Sequence, residues 1–205
     1  MEDLKIPRFE WWVAKHALPG QTLSGDHHLV QEYPHGALLA AVDGLGHGSE
    51  ASAAADVAIR ILRAFATEPV LALLNRCHEA LRGTRGVVMS LAQYDAGEGT
   101  VTWTGVGNVE GLALRPQTVN GSSSTRLLLR RGLVGAKLPP LHVATFPVQP
   151  GDLLILTTDG VAADFDRGLD PRAPLQMLAD GILARHGRKD DDALVLAARL
   201  VEGRA

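Results

Sequence analysis

The stretch ALLAAVDGLGHGS, residues 37–49, runs an unbroken apolar segment straight into an aspartate and a glycine-rich corner. A continuous apolar run of this length marks a strand buried on both faces. Asp43-Gly44 then supplies the turn chemistry that ends it. Past the corner, Ala54, Val57, Ala58, Ile61, Leu62 and Phe65 recur at three- and four-residue steps. A helix therefore follows, with Ser49 as its expected N-cap.

Upstream of this stretch the pattern is extended. Residues 10–18 and 27–33 read as strands, separated by Pro-Gly, Ser-Gly and Pro-His-Gly breaks. Downstream, residues 69–82 predict a second helix, with proline in its first turn and Gly83 as its stop. The period then changes to that of strands: 86–94, 100–104, 109–114, 126–130, 143–148 and 153–158. The polar segment 117–125 (QTVNGSSST) reads as a loop. Residues 173–186 predict a helix ended by Gly187, and 193–201 a last apolar strand. Consecutive strands joined by short turns imply antiparallel pairing, and grouped helices imply an α+β protein. The expectation is two antiparallel sheets packed on each other and flanked by helices, all in one domain over residues 1–205.

Composition narrows the function classes. The chain has 205 residues, 46% hydrophobic and 21% charged, with a formal net charge of −3. Those values fit a globular protein and give no basic footprint for nucleic acid. The start, MEDLKIPRFEWW, lacks the basic segment and apolar run of a signal peptide. No apolar stretch is long enough for a membrane span, and the single cysteine, Cys77, cannot form an internal disulfide. A cytoplasmic location is expected.

The informative residues are acidic and lie at strand ends. Asp43 closes one apolar strand and Asp159 another, in LLILTTDG; each is followed by glycine. Asp26 sits in the turn Ser24-Gly25-Asp26, and Asp190-Asp191-Asp192 opens the final strand. Carboxylates suit hard divalent cations such as Mg²⁺ and Mn²⁺. Four acidic points converging from four strand ends would need metal to offset their repulsion. A pair of such ions can activate a water as a nucleophile toward phosphorus. One Asp-Gly pair alone is more often simply a turn; the order and spacing of the four points carry the metal reading.

Taken together, SGD at residues 24–26, DGLGHG at 43–48, TDG at 158–160 and DDALVL at 191–196 resemble the PPM (PP2C-type) phosphatases, in their bacterial SpoIIE-like branch. The resemblance implies an αββα sandwich and metal-dependent hydrolysis of phosphoserine or phosphothreonine with two divalent cations, Mn²⁺ or Mg²⁺. By the family pattern, Asp43 bridges both metals and Gly44 lends its carbonyl. Asp159 and Asp191 complete the second metal, and Asp26 supports the ions through water or ligates directly. Asp191 is preferred because DD-A-T-L aligns on Asp191-Asp192-Ala193-Leu194; leucine replaces the usual threonine, and Asp190 is the alternative ligand. The eukaryotic histidine position is Leu45 here, which leaves His47 or metal-held water as the acid. The eukaryotic phosphate-binding arginine has no counterpart near the N-terminus.

TGVGNVEG at residues 104–111 further resembles the stand-alone phosphatases that reset stressosomes. That resemblance implies phosphorylated STAS-domain proteins as partners, with no nucleic acid or membrane partner, and a monomer or weak dimer. The alternatives are a catalytically silent regulatory binding module of the same fold, a phosphatase of anti-sigma antagonists, or a hydrolase of a small phosphorylated molecule.

Other signals are set aside. The last interval of Gly105-Val106-Gly107-Asn108-Val109-Glu110-Gly111 is one residue too long for a dinucleotide fingerprint, and a strand rather than a helix follows it. His27, His28 and His35 lack cysteine partners and read as a solvated edge rather than a zinc site. Trp11, Trp12 and Trp103 read as packing residues, and Cys77 as a small buried hydrophobe.

Overall fold

A computed structural model describes residues 8–116 and 123–202. The chain begins with strands β1 (Arg8–His16), β2 (Asp26–Tyr33) and β3 (Gly36–Gly44), then helices α1 (Ser49–Ala64) and α2 (Val70–Ala80). Six strands follow: β4 (Val87–Asp95), β5 (Thr100–Val106), β6 (Glu110–Arg115), β7 (Ser123–Arg126), β8 (Ala144–Pro147) and β9 (Leu153–Thr157). Helix α3 (Leu175–His186) and strand β10 (Ala193–Val201) complete it. The strands form two five-stranded sheets, ordered β1-β10-β9-β6-β7 and β2-β3-β4-β5-β8, with antiparallel neighbours throughout.

Strand alternation sorts the apolar residues into three buried layers. In β3, Leu38, Ala40 and Val42 join the core under α1 and α2. Ala37, Leu39 and Ala41 face the other way, into the core between the sheets. In β10, Leu194, Leu196, Ala198 and Leu200 point between the sheets, while Ala193, Val195 and Ala197 pack with Leu178, Ala179 and Ile182 of α3. The result is the expected αββα sandwich, with β3, β9 and β10 apolar on both faces. Fully burying one of their leucines contributes about 2 kcal/mol. No helix among the described residues is long and apolar enough to cross a membrane.

Four local expectations are corrected. The N-cap of α1 is Gly48, not Ser49: Gly48 takes φ +76° and its carbonyl receives the Ser52 N–H at 3.0 Å. A side chain there is disfavoured by the backbone itself. Strand β7 covers 123–126, partly inside the segment read as a loop; residues 117–122 lie outside the described residues. Residues 127–130 do not continue the strand. Leu127 and Leu129 turn inward over Gly105, and Arg130 makes only an isolated bridge to Val106. Their alternation reflects burial as the chain passes from one sheet to the other. Of the three histidines, His35 is exposed as expected, whereas His28 is partly buried and so is His27, with Nε2 3.1 Å from Ser52 Oγ and Nδ1 3.1 Å from Asp56.

Candidate metal centre

Alternation carries past the last apolar residue of β3. Asp43 shares parity with Leu39 and Ala41, so it belongs to the inter-sheet face. On β2, Asp26 shares parity with Val30, which packs against the same layer. The β2–β3 register sets Asp26 directly opposite Asp43. Two carboxylates facing each other across an antiparallel pair are destabilising unless something neutralises them.

The second sheet brings its own acids to this end. β9 and β10 pair antiparallel, with Thr157 opposite Val195, so the exit of β9 and the entry of β10 are adjacent. Thr158 joins the two sheets: its hydroxyl donates to Asp26 Oδ2 at 2.6 Å and accepts the Leu194 N–H at 2.9 Å. The Leu194 backbone thus has a hydroxyl partner even though its own side chain is apolar. Beside Thr158, Asp159 accepts a 2.6 Å hydrogen bond from Asn108 Nδ2.

The electrostatics follow from this crowding. Burial, and then the charges of Asp26, Asp159, Asp191 and Asp192, push Asp43 up to about 9. Burial also pushes Asp26 up to about 7, against the lowering effect of the Thr158 hydrogen bond. Asp191 is raised by burial and then by Asp159. The carboxylates sense one another as a single cluster short of positive charge, which is the environment a divalent cation completes.

The residues therefore fit the metal reading by chemistry, although among the described residues no three His, Cys, Asp or Glu side chains already enclose an ion. A metal would have to draw the carboxylates inward.

Two glycines are obligatory here for steric reasons. A Cβ on Gly44 would lie 2.1 Å from the Ala51 carbonyl oxygen, and one on Gly160 would lie 1.8 Å from that of Asp192. Both Asp-Gly corners are thus packed against a second element and are more than turns. The Gly44 N–H also bonds the Gly25 carbonyl at 3.1 Å, clasping the SGD turn to the end of β3.

The DDD run divides by role. Asp190 is exposed. Asp192 is buried, and its two carboxylate oxygens accept the Leu18 and Gly25 N–H groups, each at 2.7 Å. It anchors the loop that delivers Asp26. Asp191 remains partly exposed, with Oδ1 accepting the Asp192 N–H at 2.9 Å, and lies within the field of Asp159.

His47 is exposed on the loop before α1 and is not among the groups that shift Asp26 or Asp43. The structure thus couples Asp26, Asp43, Asp159 and Asp191 and leaves His47 apart.

Sequence reasoning missed Thr158, Asn108 and the anchoring role of Asp192. Thr158 and Asn108 both lie inside motifs already singled out, TDG and TGVGNVEG, so their position beside an acid was the available signal.

The family described as Stage II sporulation protein E (SpoIIE) matches residues 34–201. Phosphoserine phosphatase RsbX of Bacillus subtilis (strain 168) is 26% identical over 180 residues, covering 86% of this chain and 88% of that protein. A solved structure from work on the bacterial stressosome as a modular system controlling secondary messenger signalling is 30% identical. Its TM-score is 0.81, over 94% of this chain and all of that one (100%). RsbX in complex with magnesium superposes with a TM-score of 0.83 at 22% identity, over 94% of this chain and 95% of that one, and supports the fold.

Proposed function

The chain belongs to the SpoIIE family and is a PP2C-type serine/threonine phosphatase, and on that premise we propose that it acts on phosphorylated STAS-domain subunits of a stressosome, resetting them as RsbX-like enzymes do. We read the chain as one phosphatase domain. The reading of the substrate is supported by the 26% identity with RsbX and by the stressosome-derived structure at 30% identity. The family is metal-dependent, and Mn²⁺ or Mg²⁺ are the ions we assign.

The observation that carries the site is the Asp26–Asp43 pair, opposed across β2 and β3 and both driven toward protonation. Asp43 would bridge two cations with the Gly44 carbonyl beside it; Asp159 and Asp191 would complete the second, and Asp26 would support them. When bound, such a pair supplies activation of water and neutralises charge on the phosphoryl group. The chain's own residues do the positioning. Thr158 fixes the orientation of Asp26 through its 2.6 Å hydrogen bond, Asn108 does the same for Asp159, and Asp192 holds the loop entering β2. We keep His47 as the candidate for moving a proton at the leaving oxygen, a role for which it would have to swing toward the acids from the exposed loop before α1.

Release of phosphate from p-nitrophenyl phosphate and from a phosphorylated STAS protein, with Mn²⁺, with Mg²⁺ and with chelator, tests this. Metal-dependent turnover of both substrates is expected. Turnover of the small ester alone would overturn the STAS assignment, and metal-independent turnover would overturn the carboxylate site.

A further inference from the structure

Next to the metal centre lies a cleft of about 400 Å³ lined by Lys15 of β1, His27 and His28 of β2, and Asp56, Arg60 and Arg63 of α1. His28 is two residues along β2 from Asp26, a separation of about 7 Å at strand rise. Lys15, Arg60 and Arg63 are exposed, and none has an ion pair or hydrogen bond among the described residues. The cleft's one carboxylate, Asp56, is engaged by His27 Nδ1 at 3.1 Å.

The remaining arginines of the α1–α2 region contrast with these. Arg76 pairs with Glu68 at 2.6 Å, Arg82 with Glu79 at 3.0 Å and Arg85 with Glu50 at 2.5 Å. In a chain of net charge −3, three cations gathered without partners around one cleft form a local positive field. Ile59 is the apolar residue of the cleft's lining, and behind His28 the Trp11 ring lies 5.7 Å away, centroid to centroid.

We propose that this cleft holds an acidic side chain of the phosphoprotein substrate, two to four residues from the phosphoserine or phosphothreonine. The lower bound follows from the about 7 Å between His28 and Asp26 at about 3.3 Å per residue of extended peptide, and the upper bound from Arg60 and Arg63, which lie one and two turns of α1 beyond Asp56. Such a contact draws acidic segments in and sets which phosphosites are served; it does no chemistry. This inference rests on the phosphatase reading above.

The test compares two labelled phosphoserine peptides, one flanked on both sides by glutamates and one by glutamines, with the double variant Arg60→Ala/Arg63→Ala. Both residues are exposed on a helix, where alanine is well tolerated. The glutamate peptide is expected to have the lower KM on the unaltered protein. The double variant should raise that KM about five- to tenfold at low ionic strength, with little effect near 1 M salt. Turnover of p-nitrophenyl phosphate and of the glutamine peptide should be unchanged. Equal KM values for the two peptides, or an equal loss on all substrates in the variant, would overturn the proposal. Fluorescence anisotropy of the glutamate peptide separates it from the phosphatase reading. If p-nitrophenyl phosphate is not hydrolysed, that reading fails, while weaker peptide binding by the variant still supports the cleft and equal binding sinks it.

Discussion

The two Asp-Gly corners look alike in sequence, each closing an apolar strand, yet the fold treats their carboxylates differently. Asp159 is given a partner, the Asn108 amide at 2.6 Å. Asp43 faces Asp26 across the β2–β3 ladder and is pushed up to about 9. The glycines in both corners are pinned by backbone approaches that would admit no side chain. Both corners are therefore rigid, and at Asp43 the rigidity holds a carboxylate against its electrostatic preference. On the proposed metal reading, that difference would make Asp43 the position where a cation changes most, and Asp159 a carboxylate oriented in advance.

The sharpest way to break this contrast is Asp43→Asn. Activity with metal should fall by about 10³-fold or more, equivalent to about 4 kcal/mol of transition-state stabilisation. The metal-free fold should be retained or stabilised. A variant keeping most of its turnover would remove Asp43 from the bridging position.

The same contrast has a pH signature. A carboxyl whose folded pKa lies above its unfolded value of 3.8 favours folding while protonated. That contribution is fully present below pH ~4 and is lost progressively as pH rises toward about 9. In chelator, the Tm of the unaltered protein relative to Asp43→Asn should therefore fall across this window, and added Mn²⁺ or Mg²⁺ should reverse the trend. A constant difference in Tm would show that Asp43 is not strained.

The neighbours Asp191 and Asp192 sharpen the comparison further. Asp192→Ala leaves the Leu18 and Gly25 N–H groups without their carboxylate, and should cost about 3 kcal/mol of stability in denaturant unfolding. Asp191→Ala should barely change stability while weakening metal-dependent turnover. If the two effects were exchanged, the roles assigned within the DDD run would be reversed.

Asn108→Ala is expected to have the smallest effect. Losing an orienting partner of a ligand should lower apparent metal affinity by about 10- to 100-fold, read from the metal dependence of activity, with the fold intact. An unchanged metal dependence would make Asn108 a structural residue of the β5–β6 turn.

Much of this is legible in the sequence. Period-two alternation and unbroken apolar runs located β2, β3, β9 and β10, because a strand buried on both faces leaves a compositional trace that local sequence carries. The Asp-Gly corners and their order along the chain located the acidic cluster for the same reason.

What local sequence could not decide was which way each acid faces and what holds it. Asp192 bonds residues 174 and 167 positions away, and Thr158 bonds Asp26 across 132. Such pairings depend on how two sheets meet, which no short-range period encodes. The Gly48 cap and the displaced β7 were likewise set by packing: a left-handed backbone at one point, and Leu127 and Leu129 turning over Gly105 at the other. Sequence alone determined that four acidic strand ends exist and that two of them carry glycine. Only the tertiary structure decided that Asp26 and Asp43 confront each other, that Asp191 stays with the cluster, and that Asp192 is taken by the backbone. The physical reason is that a carboxylate's role is fixed by the groups around it, and for Asp26 and Asp192 the donors within about 3 Å come from the far end of the chain.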